Sequence, residues 1–307
     1  DIVIIKYLFN GINTVTHLYY HFTYYLYGAK KMSNNTLLNA YKVPSMYVSL
    51  PSGGKYYSEK PKLSVDGELA IYAMTARDEI ISKTPDALFN GESTIALIAS
   101  CCPDIIDPKT TPVNDLMVLL LAIRKASYGD NIDIDIKCPS CDELNMLAMD
   151  INTIIGSVKV NDVSNNLLLQ DKFDIKLKPY NINDRTLMQI QQIQQERMIQ
   201  ELSDADLTDI ERNEKFGKTF VEISTLTIDL MVNCIVSVTH DGNEITDRET
   251  IREWLHNITK TDYEAMKKHI AEISESGIDN KFKAQCVHCA HEWESEVELD
   301  MANFFAG

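Results

Sequence analysis

Two cysteine pairs lie far apart in the chain, and they constrain its fold more than any other feature. Cys138 and Cys141 sit in "DIDIKCPSCDELNMLAMDINTII", and Cys286 and Cys289 in "NKFKAQCVHCAHEWESEVELDMANFF". Each segment runs in the same order: an alternating stretch, Cys-x-x-Cys, a second alternating stretch, an acidic "MDI" or "LDM", and an apolar pair, Ile154-Ile155 or Phe304-Phe305. Apart from two extra residues after the second pair, the spacing agrees, so one structural unit, a knuckle between two strands, occurs twice.

A Cys-x-x-Cys turn can present two thiolates to one metal ion, and a structural zinc takes four ligands in a tetrahedron. Neither pair closes such a site alone. Together, Cys138, Cys141, Cys286 and Cys289 complete one, which predicts a four-cysteine zinc ribbon assembled from both ends of a long intervening segment. A thioredoxin-type redox pair would place its Cys-x-x-Cys at a helix N-terminus, whereas both pairs here are followed by strand-like, acid-rich segments. His288 and His291 are alternative ligands, but four cysteines already fill the shell, so both are expected at the surface with Trp293 packed over the knuckle. Cys101, Cys102 and Cys234 stand in apolar helical surroundings and are expected in the core, while His240 and His256 are expected in solvent. Seven cysteines in 307 residues are too few for a disulfide scaffold and suit a reducing cytosol.

The formal charge of −16 and pI near 4.8 argue against nucleic-acid and anionic-membrane partners and favour proteins. Residues 1–31 depart from this balance: three lysines and one acid give +2, leaving −18 for the rest. Asn10, Asn13, Thr14 and His17 interrupt the apolar run that a signal peptide or membrane helix would need. The composition changes at Met32, which is expected to be the native start, with 1–31 as translated upstream sequence. A surface anchor and a genuine extension are the alternatives, and mass spectrometry of the native N-terminus decides between them.

Residues 32–66, rich in Pro and Gly, suggest an extended arm that adds a strand or aromatic anchors to a neighbour, or folds on its own domain. Helices are expected over 67–130, in "GELAIYAMTARDEIISK", "TPDALFNGESTIALIASCC" and "TPVNDLMVLLLAIRKASYG". The last is apolar nearly all round and so buried, with Pro112 and Gly129 marking its ends. The first ribbon half spans 131–155 and the second 281–307. The intervening 156–280 reads as a helical insertion containing a strand at 172–180 and an Asp241-Gly242 hairpin. Within it, Asn183 or Asp184 is expected to cap one helix and Gly217 to break or bend the next. Capping boxes are expected at Thr246/Glu249 and Thr261/Glu264, with a stop at Gly277. The fold class is therefore α+β, a mainly helical domain inserted between the halves of a zinc-ribbon-like β unit.

No phosphate loop, nucleophile elbow, HExxH or dinucleotide turn occurs, and "PSGGK" at 51–55 lacks phosphate-loop spacing and reads as a turn. A four-cysteine site leaves no open coordination position for catalysis, so no enzyme chemistry is expected. Nucleic-acid adaptor and thiol-redox roles are the rival classes, the first opposed by Asp142, Glu143, Glu292, Glu294 and Glu296 beside the knuckles.

"VPSMYVSLPSGGKYY", "TPDALFNGESTIALIASCCPDI", "LLAIRKASYGDNIDIDIKCPSC" and "CVHCAHEWESEVELDMANFF" together resemble the baseplate protein family of T4-like tailed phages, over about 32–307. The resemblance implies a component or assembly factor of the baseplate hub, with other tail or baseplate proteins as partners. It also implies a place in the host cytoplasm during assembly or in the virion tail. It carries over no catalytic residues, only the four paired cysteines as zinc ligands.

Overall fold

The computed structural model describes residues 43–82, 91–158, 163–202, 208–275 and 281–296. The chain divides into two compact units, 1–43 and 44–307, and every described strand and helix belongs to the second. Expectations for 1–42 and for Gly277 fall outside the described residues.

The second unit opens with an antiparallel pair, β1 (Met46–Ser49) and β2 (Glu68–Ile71), in the register Met46↔Ile71 to Ser49↔Glu68. The "GELAI" stretch, expected to start a helix, is thus a strand. Leu69, Ala70 and Ile71 are buried in succession, and pairing with β1 outweighs their helix-compatible composition. Helix α1 (Ala76–Ser82) follows, its first turn closed by Thr75 and Asp78, whose carboxylate accepts from the Thr75 amide at 2.8 Å. Then come α2 (Glu92–Cys101) and α3 (Val113–Tyr128). Pro112 stands at the N-cap of α3, and Gly129, at φ 96°, ends it. Ten α3 residues are buried, and Leu119, Leu121 and Ile123 join Val48, Leu69, Ile71 and Ile98 in a first core. Beyond α3 a hairpin of β3 (Asn131–Lys137) and β4 (Leu144–Asp150) runs into the short helix α4 (Ile151–Gly156), which adds Ile151 and Ile154 to the same core.

Residues 50–57 fold onto that core. Leu50 and Ser52 are buried, and the buried Asp115 carboxylate accepts from the Ser52 amide at 2.7 Å, the Ser52 hydroxyl at 2.5 Å and the Tyr57 hydroxyl at 2.8 Å. "PSGGK" is therefore a turn fastened to a helix, as its spacing suggests.

A second core lies under a four-stranded antiparallel sheet in sequential order, β5 (Asn166–Leu169), β6 (Phe173–Leu177), β7 (Ile235–His240) and β8 (Asn243–Ile245). The expected hairpin is its β7–β8 edge, with Asp241 and Gly242 both at positive φ, 48° and 77°, as a two-residue turn requires. Strand β5 went unforeseen because "NLLL" does not alternate. Between β6 and β7 run two long helices, α5 (Ile182–Leu202) and α6 (Asp209–Cys234). Helices α7 (Arg248–Leu255) and α8 (Lys260–Ser274) follow the sheet and supply Ile251, Leu255, Met266 and Ile270 to the core.

Several helix starts differ from expectation by one or two residues. Asn181 caps α5, its Oδ1 accepting from the Asp184 amide at 2.9 Å while Asp184 accepts from the Asn181 amide at 3.0 Å. Asp247, rather than Thr246, caps α7 through the Thr250 amide, and Thr259, rather than Thr261, caps α8 through the Asp262 amide. In α7 a carboxylate, the stronger acceptor, stands beside the expected hydroxyl and takes the position. Helix α6 runs unbroken through Gly217. The molecule is a mixed α/β protein. Among its described residues no helix is long and apolar enough to cross a membrane.

Candidate metal centre

Strands β3 and β4 form one hairpin, and β9 (Lys281–Gln285) and β10 (Glu292–Glu296) another. Their last pairs, Lys137↔Leu144 and Gln285↔Glu292, hold equivalent places, so each Cys-x-x-Cys fills the same six-residue loop. The loops match bond for bond. The Cys138 amide donates to the Glu143 carbonyl and the Cys286 amide to the His291 carbonyl, each at 2.9 Å. The Asp142 and Ala290 amides return to the carbonyls of Cys138 and Cys286, also at 2.9 Å. That return needs a left-handed residue, and Asp142 and Ala290 adopt it at φ 59° and 58°. The Ser140 and His288 amides point at the first sulfur of each loop, both at 3.4 Å. Over strand, knuckle and strand the doubled unit read in the sequence is thus a doubled structure, and its "LDM" and Phe304-Phe305 end falls outside the described residues.

The four sulfurs, from Cys138, Cys141, Cys286 and Cys289, all lie within 4.8 Å of one another. Across the two hairpins, Cys138 Sγ is 3.7 Å from Cys289 Sγ, and Cys141 Sγ is 3.6 Å from Cys286 Sγ. Cys138 and Cys286 are buried, and Cys141 and Cys289 face solvent. All four are free thiols. Such a set can hold a metal ion.

Its electrostatics favour a cation. Desolvation resists ionisation of Cys286, yet the amides of Cys289 and His288 and the thiols of Cys141 and Cys289 hold its pKa below the ordinary thiol range, at about 6. For Cys141 the Glu143 amide favours the thiolate, but desolvation and the thiols of Cys289, Cys286 and Cys138 push it up to about 12. One sulfur ionises readily and the next resists, because the thiols hydrogen-bond to one another and a bonded pair holds its thiolate on one sulfur. A bound cation would favour the thiolate form of all four.

One residue at the site had no signature in sequence. Asn145, on β4, is 1% exposed; its Nδ2 donates to the Glu143 carbonyl at 2.9 Å, and its Oδ1 accepts from the Val287 amide at 2.9 Å. It therefore stitches the first hairpin to the loop of the second without any metal. Its only trace was a polar residue amid the apolar alternation of "LNMLAM". His288 and His291 are exposed, as expected, and the His291 ring stacks on Trp293 at 6.1 Å and 11°. Cys101, Cys102 and Cys234 are buried in the two cores, and burial pushes all three thiols up, away from reactivity. His240, expected in solvent, is 41% exposed at its side chain and also stacks on Phe173 at 4.7 Å and lies 3.2 Å from the Lys172 carbonyl.

No curated protein and no solved structure matches the chain. One family does, the T4 bacteriophage base plate protein, whose model matches residues 43–306 and so takes in both cores and all four cysteines. The chain belongs to the family of T4 bacteriophage base plate proteins.

Proposed function

We propose that this protein is a non-enzymatic component or assembly factor of the baseplate hub, whose two hairpins are locked together by a structural zinc. The observation that carries the zinc is the shape of the sulfur cluster. Zinc–thiolate bonds near 2.3 Å in a tetrahedron place neighbouring sulfurs roughly 3.8 Å apart. The cross-hairpin separations of 3.7 and 3.6 Å fit that edge. Cys138, Cys141, Cys286 and Cys289 would be the ligands, and the amides of Ser140 and His288 stabilise thiolate charge at the two buried sulfurs. Bound there, zinc supplies cross-linking rather than Lewis-acid chemistry, since a four-thiolate set leaves no position for substrate.

Membership of a base plate family supports protein partners within the phage tail. The hub assignment rests on the resemblance of the arm and knuckle segments, and the net charge of −16 agrees with protein rather than polyanion partners. Elemental analysis of purified protein, with fractionation of infected-cell extract, tests both halves. The expected result is one zinc per chain and co-migration with hub proteins. A metal-free protein overturns the zinc, and co-migration with peripheral baseplate parts alone overturns the hub.

A further inference from the structure

Helix α6 packs on α5 and, at its C-terminal end, meets α7 through the Arg252–Asp229 ion pair. Along α5 from Arg185 and α6 up to Asp229, no described residue is fully buried. One side of α6 carries Thr219, Ile223 and Leu226, each half-buried, and α6 packs on α5 nearby through a Gln191–Thr227 hydrogen bond. Roughly 160° round the helix, at 100° per residue, lies a second stripe, Ile210, Gly217, Val221 and Ser224, with Phe216 and Phe220 between the two faces. Ile210 is 73% exposed, Val221 62% and Phe220 55%, and the two phenylalanines stack at 6.0 Å. A Cβ added at Gly217 would meet nothing within 4 Å. Charge is confined to the stripe's rim, where Glu214 and Lys218 are both exposed.

We propose that this stripe pairs with the same stripe of a second copy of the chain, antiparallel, about a two-fold axis at Gly217. The stripe is self-complementary in that register. With Gly217 against Gly217, residues seven before and seven after the axis oppose each other, so Ile210 of each copy meets the small Ser224 of the other. Asn213 meets Val221 in the same way. An antiparallel two-fold pair also brings like flanks together, which sets Glu214 of each copy within two residues, about 3 Å along the axis, of Lys218 of the other. Both rim pairs are then of opposite charge, on a protein whose net charge of −16 would otherwise oppose self-association. Glycine at the axis lets the helices approach closely, and two α5–α6 pairs form a four-helix bundle.

Light scattering of the full chain over a dilution series tests this. The interface is one helix face per copy, so dimer is expected at about 100 µM and monomer near 1 µM, in the range of a micromolar association. Gly217→Gln should give monomer throughout while keeping, or raising, helical ellipticity and melting temperature in dilute solution, since glutamine is the better helix former. Lys218→Glu should weaken dimerisation about fivefold or more at low salt, and Glu214→Lys added to it should restore it. A monomer at about 100 µM overturns the proposal, as does a dimer that survives Gly217→Gln. Loss with Gly217→Gln but indifference to both charge changes overturns the antiparallel register.

Discussion

Asn145 is the residue on which the metal centre can be taken apart from its metal. Its two hydrogen bonds tie Glu143 to Val287, the second of them reaching across 142 positions of sequence. Truncation to alanine removes both bonds, at a cost of about 0.5–1.5 kcal/mol for each, while the Glu143 carbonyl keeps the Cys138 amide as donor. Asn145→Ala should therefore lower the denaturation midpoint of zinc-loaded and zinc-free protein alike, whereas Cys138→Ser should lower only that of the loaded form; paired denaturant titrations separate the two. Asp115 offers a pH test. Burial raises its pKa, against the lowering effect of its Ser52 and Tyr57 donors. A carboxyl whose folded pKa lies above its unfolded value, near 3.9, contributes most at low pH and loses that contribution as pH rises through the folded pKa. Wild type should thus lose stability relative to Asp115→Asn as pH rises above about 4, as read by thermal melts over a pH series. At this scale the sequence was legible where chemistry is local. Four cysteines announce themselves by spacing, and Asp241-Gly242 by backbone need. Asn145, the Asp115 cluster and the His240–Phe173 stack depend on neighbours dozens of positions away, and nothing in the residues beside them says so.

At the scale of the element, strands were legible where apolar and polar residues alternate, as in β3, β4 and β6, and helices where apolar residues recur every three or four. The failures have one cause each. β2 holds three buried residues in a row, a pattern shared by helices and covered strands, and only its pairing with β1 decides. Capping positions slipped by one or two residues because α7 and α8 each begin among several competent side chains. That choice can be measured: Asp247→Ala should cost about 1 kcal/mol, the usual value of a lost N-cap, and Thr246→Ala nearly nothing, by urea denaturation. Gly217 was expected to break or bend α6, and the helix runs unbroken through it, so it tolerates a residue that disfavours it. Gly217→Ala should then raise stability by about 1 kcal/mol at concentrations where the chain is monomeric, since the added methyl has open space.

For the whole molecule, the two cores are built from residues that do not include the four metal-site cysteines. Structural zinc contributes on the order of 10–16 kcal/mol in small domains, so removal of the proposed ion should be felt, but locally. A chelator is expected to expose the amides of 131–150 and 281–296 to hydrogen exchange while those of α3 and β7 keep their protection, as mass spectrometry of exchanged peptides would show. The paired hairpins were foreseeable because the sequence repeats itself. The separation of the remainder into two cores was not, since apolar residues carry no label for the cluster they join.

Closure of the sulfur cluster also sets a time. Cys141 and Cys286 stand 145 positions apart and touch across the two hairpins. At synthesis rates of 5–20 residues per second, the ribosome needs roughly 7 to 30 s to pass from one to the other. Through that interval the first knuckle waits, open, while the residues of the second core, Leu169 to Ile273, are still being made. A chain released between Ile273 and Cys286 has both cores' worth of sequence and no clamp, so the finished cluster certifies that translation has gone past Cys289.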